Sequence, residues 1–338
     1  MLQPLPDELT TAEGTALIDE ISRFGEPSPI LILTGGDCLM RRDLLALLDH
    51  AADVGVRVAL SPSVTPRLTS ALLDQVRARG VRALSISLDG ARAETHEAIR
   101  GVHGHFEATR RAAGTLAAQG FAVQINTTVM RRNVGELADV CAFLRTTGVR
   151  IWEVFFLVAV GRGTSCEEIS PNEHEDVCHF LVDASCFGIV VRTVEAPFFR
   201  RVAAQRREYL GDDVAGAFRL GPLYARLSRR LRHLLGSPAG GAATPSVATR
   251  DGNGVVFVAY NGDVHPSGFL PVSLGNVRSD PLVEIYRRHP LLRAIRRSEF
   301  SGRCRHCAFA GSCGGSRARA YARYGDPLAS DPACAYAG

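Results

Sequence analysis

Four helix-like stretches in the first half of this chain stop at a glycine, Gly55, Gly80, Gly120 and Gly148, and an apolar run follows each within a few residues. A glycine that enters the left-handed region ends a helix and turns the chain into a short loop, so the repeat reads as helix, stop, strand. The runs are Val56–Leu60, Ala83–Leu88, Ala122–Thr128 and Ile151–Val160, with Ile30–Leu33 ahead of them. They read as near-continuously apolar, the pattern of parallel strands covered by helices. The expectation is an α/β fold: βα repeated five times, with a leading helix over Leu9–Phe24 that opens at Thr10-Thr11-Ala12-Glu13.

In α/β sheets, chemistry gathers beyond the carboxyl ends of the strands. Those ends read Thr34-Gly35-Gly36-Asp37, Ser61–Thr65, Ser87-Leu88-Asp89-Gly90, Asn126-Thr127-Thr128 and Gly161-Arg162-Gly163. After Gly163 the pattern loosens, and 166–232 reads as irregular helices. Nine arginines between Arg200 and Arg232 read as a solvated helical face, since no nucleic-acid motif accompanies them. A small-residue linker, Gly236–Pro245, precedes a hairpin signal, Gly254–Tyr260, Asn261-Gly262, Asp263–Pro266. One helix is expected over 282–297.

The net charge is +4 and no apolar stretch is long enough to cross a bilayer, so neither a nucleic-acid nor a membrane partner is expected. The first residues lack a basic region followed by an apolar core, which places the chain in a reducing cytoplasm. Nine cysteines do not form a disulfide ladder. Cys38, Cys141, Cys166, Cys178 and Cys186 are scattered and read as free thiols. Cys304, Cys307, Cys313 and Cys334 are different, because Cys-x2-Cys-x5-Cys brings thiolates to one turn. Zinc and an iron–sulfur cluster both suit that spacing. Gly314-Gly315 after Cys313 tips the reading toward a cluster by letting backbone N–H groups approach inorganic sulfides. Gly35-Gly36-Asp37 is weak by itself: it suits close approach to a small ammonium-bearing ligand, or merely a capped turn.

Together, Gly-Gly-Asp after one strand, Ser87-Leu88-Asp89-Gly90 after another and the cysteine tail resemble the radical S-adenosylmethionine (SAM) enzymes with a SPASM-type C-terminal domain. His96…Ile99-Arg100-Gly101, Glu195-Ala196-Pro197, Pro266–Pro271, Gly275–Arg278 and Cys313–Ala320 place the resemblance in a subgroup with maturases of peptides and tetrapyrroles. It implies a partial radical-SAM-type (β/α) barrel over 1–165, a helical connector with its linker over 166–250, and a SPASM-like α+β iron–sulfur domain over 251–338. It also implies that Gly35, Gly36 and Asp37 hold the SAM amino group, with Ser87, Asp89 and Asn126 near its ribose or the substrate. Cys304, Cys307, Cys313 and Cys334 would ligate one auxiliary 4Fe-4S cluster, closed by four ligands and suited to electron transfer or structure. A flavodoxin or ferredoxin would supply electrons, and the substrate would be a peptide or small molecule.

Two departures qualify this. Ser267 and Arg317 stand where a second auxiliary cluster would need cysteines. The Cys-x3-Cys-x2-Cys signature of the SAM-cleaving cluster is absent. In the family it follows the first strand, so the expectation is a barrel without that strand, with an open parallel edge, from a chain that starts too late and is inactive as written. That cluster would then be present only with a longer N-terminus. A non-catalytic iron–sulfur protein in electron transfer or partner binding, and a zinc-stapled module, are the alternatives.

Overall fold

Six strands run in the order of the sequence, all parallel, in the sheet that organises this molecule: β1 Leu31–Leu33, β2 Val58–Leu60, β3 Ala83–Ser87, β4 Ala122–Val129, β5 Ile151–Phe156 and β6 Val190–Val194. The structure, a computed structural model, describes residues 5–160, 165–238, 240–241 and 249–336. Five of the strands follow the sequence reading closely. Gly55, Gly80, Gly120 and Gly148 all take positive φ, as helix stops must. β6 is an addition, lying inside the stretch read as irregular helices. Its Val190-Val191-Arg192-Thr193-Val194 is short and carries two adjacent polar residues, and only the pairing with β5 reveals it. The strand end Gly161-Arg162-Gly163 and half of the small-residue linker, 239 and 242–245, lie outside the described residues.

The strands are also less uniformly apolar than the sequence reading held. In β3 and β4, Leu84, Ile86, Val123, Ile125, Thr127 and Val129 are buried, while Ser85, Ser87, Gln124, Asn126 and Thr128 between them are only half-buried. One face packs on helices and joins the main core around Trp152, Phe156 and Phe180. The other face is polar, so the two-residue period of the strand separates support from site. β1 forms the sheet edge in this chain, and Ile30 and Ile32 there are exposed.

The hairpin forms as expected, with Phe257–Val258 antiparallel to Asp263–His265, and Gly275–Asn276 adds a third strand. The expected single helix is two, Leu282–Arg288 and Pro290–Arg296, because Pro290 cannot donate into the preceding turn. This hairpin unit shares a core with the N-terminal helix Thr11–Ser22: Ile18 and Ile21 pack with Val264, Leu274, Leu282 and Ile285. Glu13 closes a capping box with Thr10 and also receives Arg278 Nε at 2.6 Å.

The cysteine segment docks on the end of β6 through buried polar groups. Glu195 has φ of 60°, in the left-handed region, and its carbonyl accepts Arg319 Nη2 at 2.9 Å. Its carboxyl accepts the Ser316 hydroxyl. Arg319 pairs with Asp331 at 3.2 Å, and both side chains are buried. Asp331 also accepts Ser316 N at 2.8 Å and Ala333 N at 3.0 Å. Burial, with the Asp251 charge, holds the Glu195 carboxyl well above its ordinary range. Two substitutions separate these roles. Asp331→Asn is expected to cost about 3–5 kcal/mol in urea unfolding by stranding the Arg319 charge. Glu195→Gln, an isosteric change at a carboxyl whose charged form burial disfavours, is expected to cost less than about 1.5 kcal/mol.

Candidate functional site

The loops after β1 and β2 are laced together by one carboxylate. Asp37 accepts Leu39 N at 3.1 Å, Ser63 N at 3.3 Å and Thr65 Oγ1 at 3.0 Å, while Ser63 Oγ donates to Gly36 O at 2.6 Å. Asp37 therefore caps the turn Cys38–Met40, and the exposed parts of the motif are Gly35 and Gly36. Gly35 has φ of 114°, which a side chain would strain, and open space lies beside it. A ligand can thus approach the backbone here.

Ser87 ends the polar row of β3, and Asn126 of β4 is its direct register partner. Asn126 Oδ1 accepts Gln124 Nε2 at 2.8 Å, and the same amide nitrogen donates to Glu153 Oε2 at 2.8 Å. Glu153 pairs in register with Arg192 of β6, which is exposed. Burial raises the Glu153 pKa, opposed by the Arg192 charge and the Gln124 bond. Phe155, on the same face, meets Phe269 of the Pro266–Pro271 loop with ring centroids 6.0 Å apart. The sequence reading missed Gln124, Glu153, Phe155 and Arg192. Their signal was the polar alternation along the strands, which reading the runs as apolar blocks concealed.

Asp89 is placed differently from Ser87 and Asn126. It is buried; Oδ2 meets Arg100 Nη2 at 2.6 Å and Oδ1 accepts Thr128 N at 2.8 Å. Burial raises its pKa, against Arg100 and the Thr128 bond. Its N–H donates to His96 Nδ1 at 3.0 Å, so the neutral His96 ring carries its proton on Nε2 and donates to His105 Nδ1 at 2.8 Å. Asp89, His96 and Arg100 together fix the loop after β3 against β4.

Cys304, Cys307, Cys313 and Cys334 line one cavity, with Arg201, Phe309, Gly314, Gly315 and Tyr336. Phe309 N donates to Cys307 Sγ and Gly315 N to Cys313 Sγ, both at 3.4 Å. Among the described residues no three His, Cys, Asp or Glu side chains converge closely enough to hold a single ion. Burial pushes the Cys313 thiol up to about 12 and raises Cys334, so metal binding here must displace protons. The glycines have a further reason besides room for sulfide. Gly314 and Gly315 take φ of 71° and 67°, and a Cβ on Gly315 would lie 2.6 Å from Arg317 Nη2. Arg317, fully buried, donates to Gly315 O, Pro327 O and Ala329 O.

This arrangement has clear relatives. Residues 2–144 match the model of the radical SAM superfamily, and residues 250–308 match the SPASM iron-sulfur cluster-binding domain. The chain is 36% identical to the AdoMet-dependent heme synthase of Nitratidesulfovibrio vulgaris over 99% of its own length and 86% of that protein. It is 30% identical to the mycofactocin maturase MftC of Mycobacterium ulcerans, over 97% and 80% of the two chains. The chain belongs to the radical SAM superfamily, in its SPASM-bearing branch. The structure of Streptococcus suis SuiB bound to S-adenosylmethionine shares the fold, with a TM-score of 0.67 at 12% identity over 96% of this chain and 70% of that one.

As a radical SAM protein the chain has one disagreement with its family. Its 338 residues contain no Cys-x3-Cys-x2-Cys. Cys38, beside Gly35-Gly36-Asp37, is no substitute: it is buried, and burial with the Asp37 charge pushes its thiol up to about 12. The residues present do not fit the SAM-cleaving cluster, and no step through it follows from them. The arginine-rich stretch also departs from the solvated-face reading. Arg207, Arg219, Arg226, Arg229, Arg230 and Arg232 are exposed, but Arg201 is buried against the four-thiol cavity.

The buried histidines generate a pH dependence. Burial lowers His96 from 6.5 to about 4, so the folded state binds fewer protons than the unfolded one between those values. Its contribution is complete above pH 6.5 and is lost as pH falls toward 4. His174, also lowered to about 4 by burial, acts in the same direction. The urea midpoint is expected to fall across this window. His96→Asn, which keeps an acceptor for Asp89 N, is expected to flatten the slope.

Proposed function

We propose that this protein takes part in maturation of a tetrapyrrole, using SAM at the polar sheet face and one auxiliary 4Fe-4S cluster on the four cysteines. The observation that carries the reading is the polar face itself. Arg192 offers an exposed guanidinium on the same face as the Phe155–Phe269 pair. A flat apolar macrocycle bearing carboxylates would meet rings with its body and a cation with its acid groups. The heme synthase relatives favour this substrate class over a peptide.

In this reading the Gly35-Gly36 backbone receives the amino-acid end of SAM while Asp37 holds the loop that presents it. Ser87 and Asn126 border the ribose or the substrate. Asp89 acts behind them as a positioning residue, since both carboxylate oxygens are already engaged. Cys304, Cys307, Cys313 and Cys334 would each give one thiolate to the auxiliary cluster, which supplies one-electron chemistry when bound. Four thiols on one cavity, with Phe309 N and Gly315 N donating to two of the sulfurs, suit a cluster whose irons take one ligand each. A single cluster is proposed because Arg317 and Ser267 are engaged in backbone hydrogen bonds of their own. A flavodoxin- or ferredoxin-type reductant in a cytoplasmic setting completes the proposal.

Anaerobic reconstitution followed by iron and sulfide analysis tests the cluster. About four irons per chain are expected, lost in Cys307→Ala; stoichiometric zinc without sulfide would refute it. Calorimetry tests the ligands: SAM and a carboxylated iron porphyrin should each bind, and Arg192→Gln should weaken only the porphyrin, by about tenfold. With no thiolate trio for SAM cleavage, these 338 residues alone are expected to bind SAM without releasing 5′-deoxyadenosine above background in a chromatographic assay. A chain that binds neither ligand would point to the non-catalytic iron–sulfur reading.

A further inference from the structure

The wall of the four-thiol cavity is not made by the cysteine segment alone. Arg201, from the helix Phe199–Glu208, forms part of it, with a side chain only 3% exposed. Its two Nη atoms fork onto Glu175 at 2.8 and 2.6 Å. Its guanidinium carbon lies 4.7 Å from the centroid of the Tyr336 ring, another wall residue. Glu175 sits on the helix Pro171–Ser185 and does not line the cavity. His179 Nε2 stands 3.5 Å from Glu175 Oε1. Although burial opposes it, bonds from His179 and Arg201 lower the Glu175 pKa to about 2, so the pair is charged at any ordinary pH.

The pair therefore has a direction, with its cation at the cavity and its anion away from it. A buried ion pair is a poor source of stability, because removing both charges from water roughly cancels their attraction. Its orientation calls for another reason. Two more arginines approach the same loop through its carbonyls: Arg200 donates to Ser312 O at 3.2 Å, and Arg250 to Gly311 O at 2.9 Å and Cys313 O at 3.3 Å. These two hold the loop, and Arg201 alone of the three lines the cavity.

We propose that Arg201, held in place by Glu175, is a tuning residue that raises the reduction potential of the cluster bound by Cys304, Cys307, Cys313 and Cys334. The proposal rests on the cluster assignment made above. Four thiolates outweigh the positive charge of an oxidised cluster core, and one-electron reduction adds a further negative charge. A guanidinium at the wall, in a site poor in water, stabilises the more negative state more strongly. The reduced cluster is thereby favoured, which suits an electron-accepting role. Glu175 works in the opposite sense but does not line the cavity, so of this pair the cation acts on the thiols, against the Asp331 charge, which Arg319 pairs.

Redox titration of the reconstituted full chain with dithionite, followed by electron paramagnetic resonance, separates the two charges by sign. Arg201→Gln is expected to shift the midpoint to more negative potential, and Arg201→Lys to restore part of the shift. Glu175→Gln, which leaves Arg201 uncompensated, is expected to shift it to more positive potential. Iron and sulfide are measured on every variant. An unchanged midpoint in both Gln variants with full iron content overturns the tuning role, as does a shift of both in the same direction, which would report altered packing. Should Arg201→Gln lose its iron, the sign of the Glu175→Gln shift decides by itself. Zinc without sulfide in the parent chain defeats the cluster assignment instead, and the tuning role with it.

Discussion

The end of β6 is where the two functional halves of this molecule are held together. Glu195 turns the chain in a left-handed conformation that its side chain would not choose, and the Arg319 guanidinium on its carbonyl keeps it there. Arg319 is fixed in turn by Asp331, and Asp331 by the backbone of Ser316 and Ala333. Ser316 lies three residues after Cys313, and Asp331 three before Cys334. One buried network thus sets both the docking of the cysteine segment on the sheet and the positions of two of its thiols.

Around that junction, arginine does several kinds of work that its charge alone would not suggest. Arg317 and Arg250 staple loop carbonyls, and both lie over the Phe300 ring, at 4.5 and 5.6 Å. Arg201 faces thiols. Arg278 ties the hairpin unit to the first helix through Glu13. The planar guanidinium with five donors in a rigid fork suits such sites, because it reaches carbonyls spread around its edge that the compact ammonium of a lysine would not span. Because Arg201, Arg250 and Arg317 are buried among carbonyls, carboxylates and sulfur, they organise the site without making the surface strongly basic.

Much of the fold was legible because it depends on local rules. Gly55, Gly80, Gly120 and Gly148 mark helix ends through backbone sterics, and Thr10 with Glu13 marks a helix start through a capping box. Asn261-Gly262 announced its hairpin for the same reason. β6 was not legible, since five residues with Arg192 and Thr193 among them acquire strand character only by pairing with β5. Of the candidate site, the cysteines and the strand ends were visible as types and spacings. Asp37 and Asp89 show the limit of that view. Both are carboxylates at strand ends, yet both are committed to backbone donors of neighbouring loops.

By itself, the sequence determined the βα order, the parallel sheet and the close spacing of Cys304, Cys307 and Cys313, because helix stops, strand periods and Cys-x2-Cys spacing act over a few residues. It also determined that the thiolate trio of SAM cleavage is absent from these residues. Only the tertiary structure decided that Asp37 and Asp89 brace loops, and which arginines are solvated and which are buried. Those outcomes depend on partners far apart in the chain, such as Glu195 with Ser316 and Arg201 with Glu175, and burial and electrostatic pairing exist only once the chain has folded.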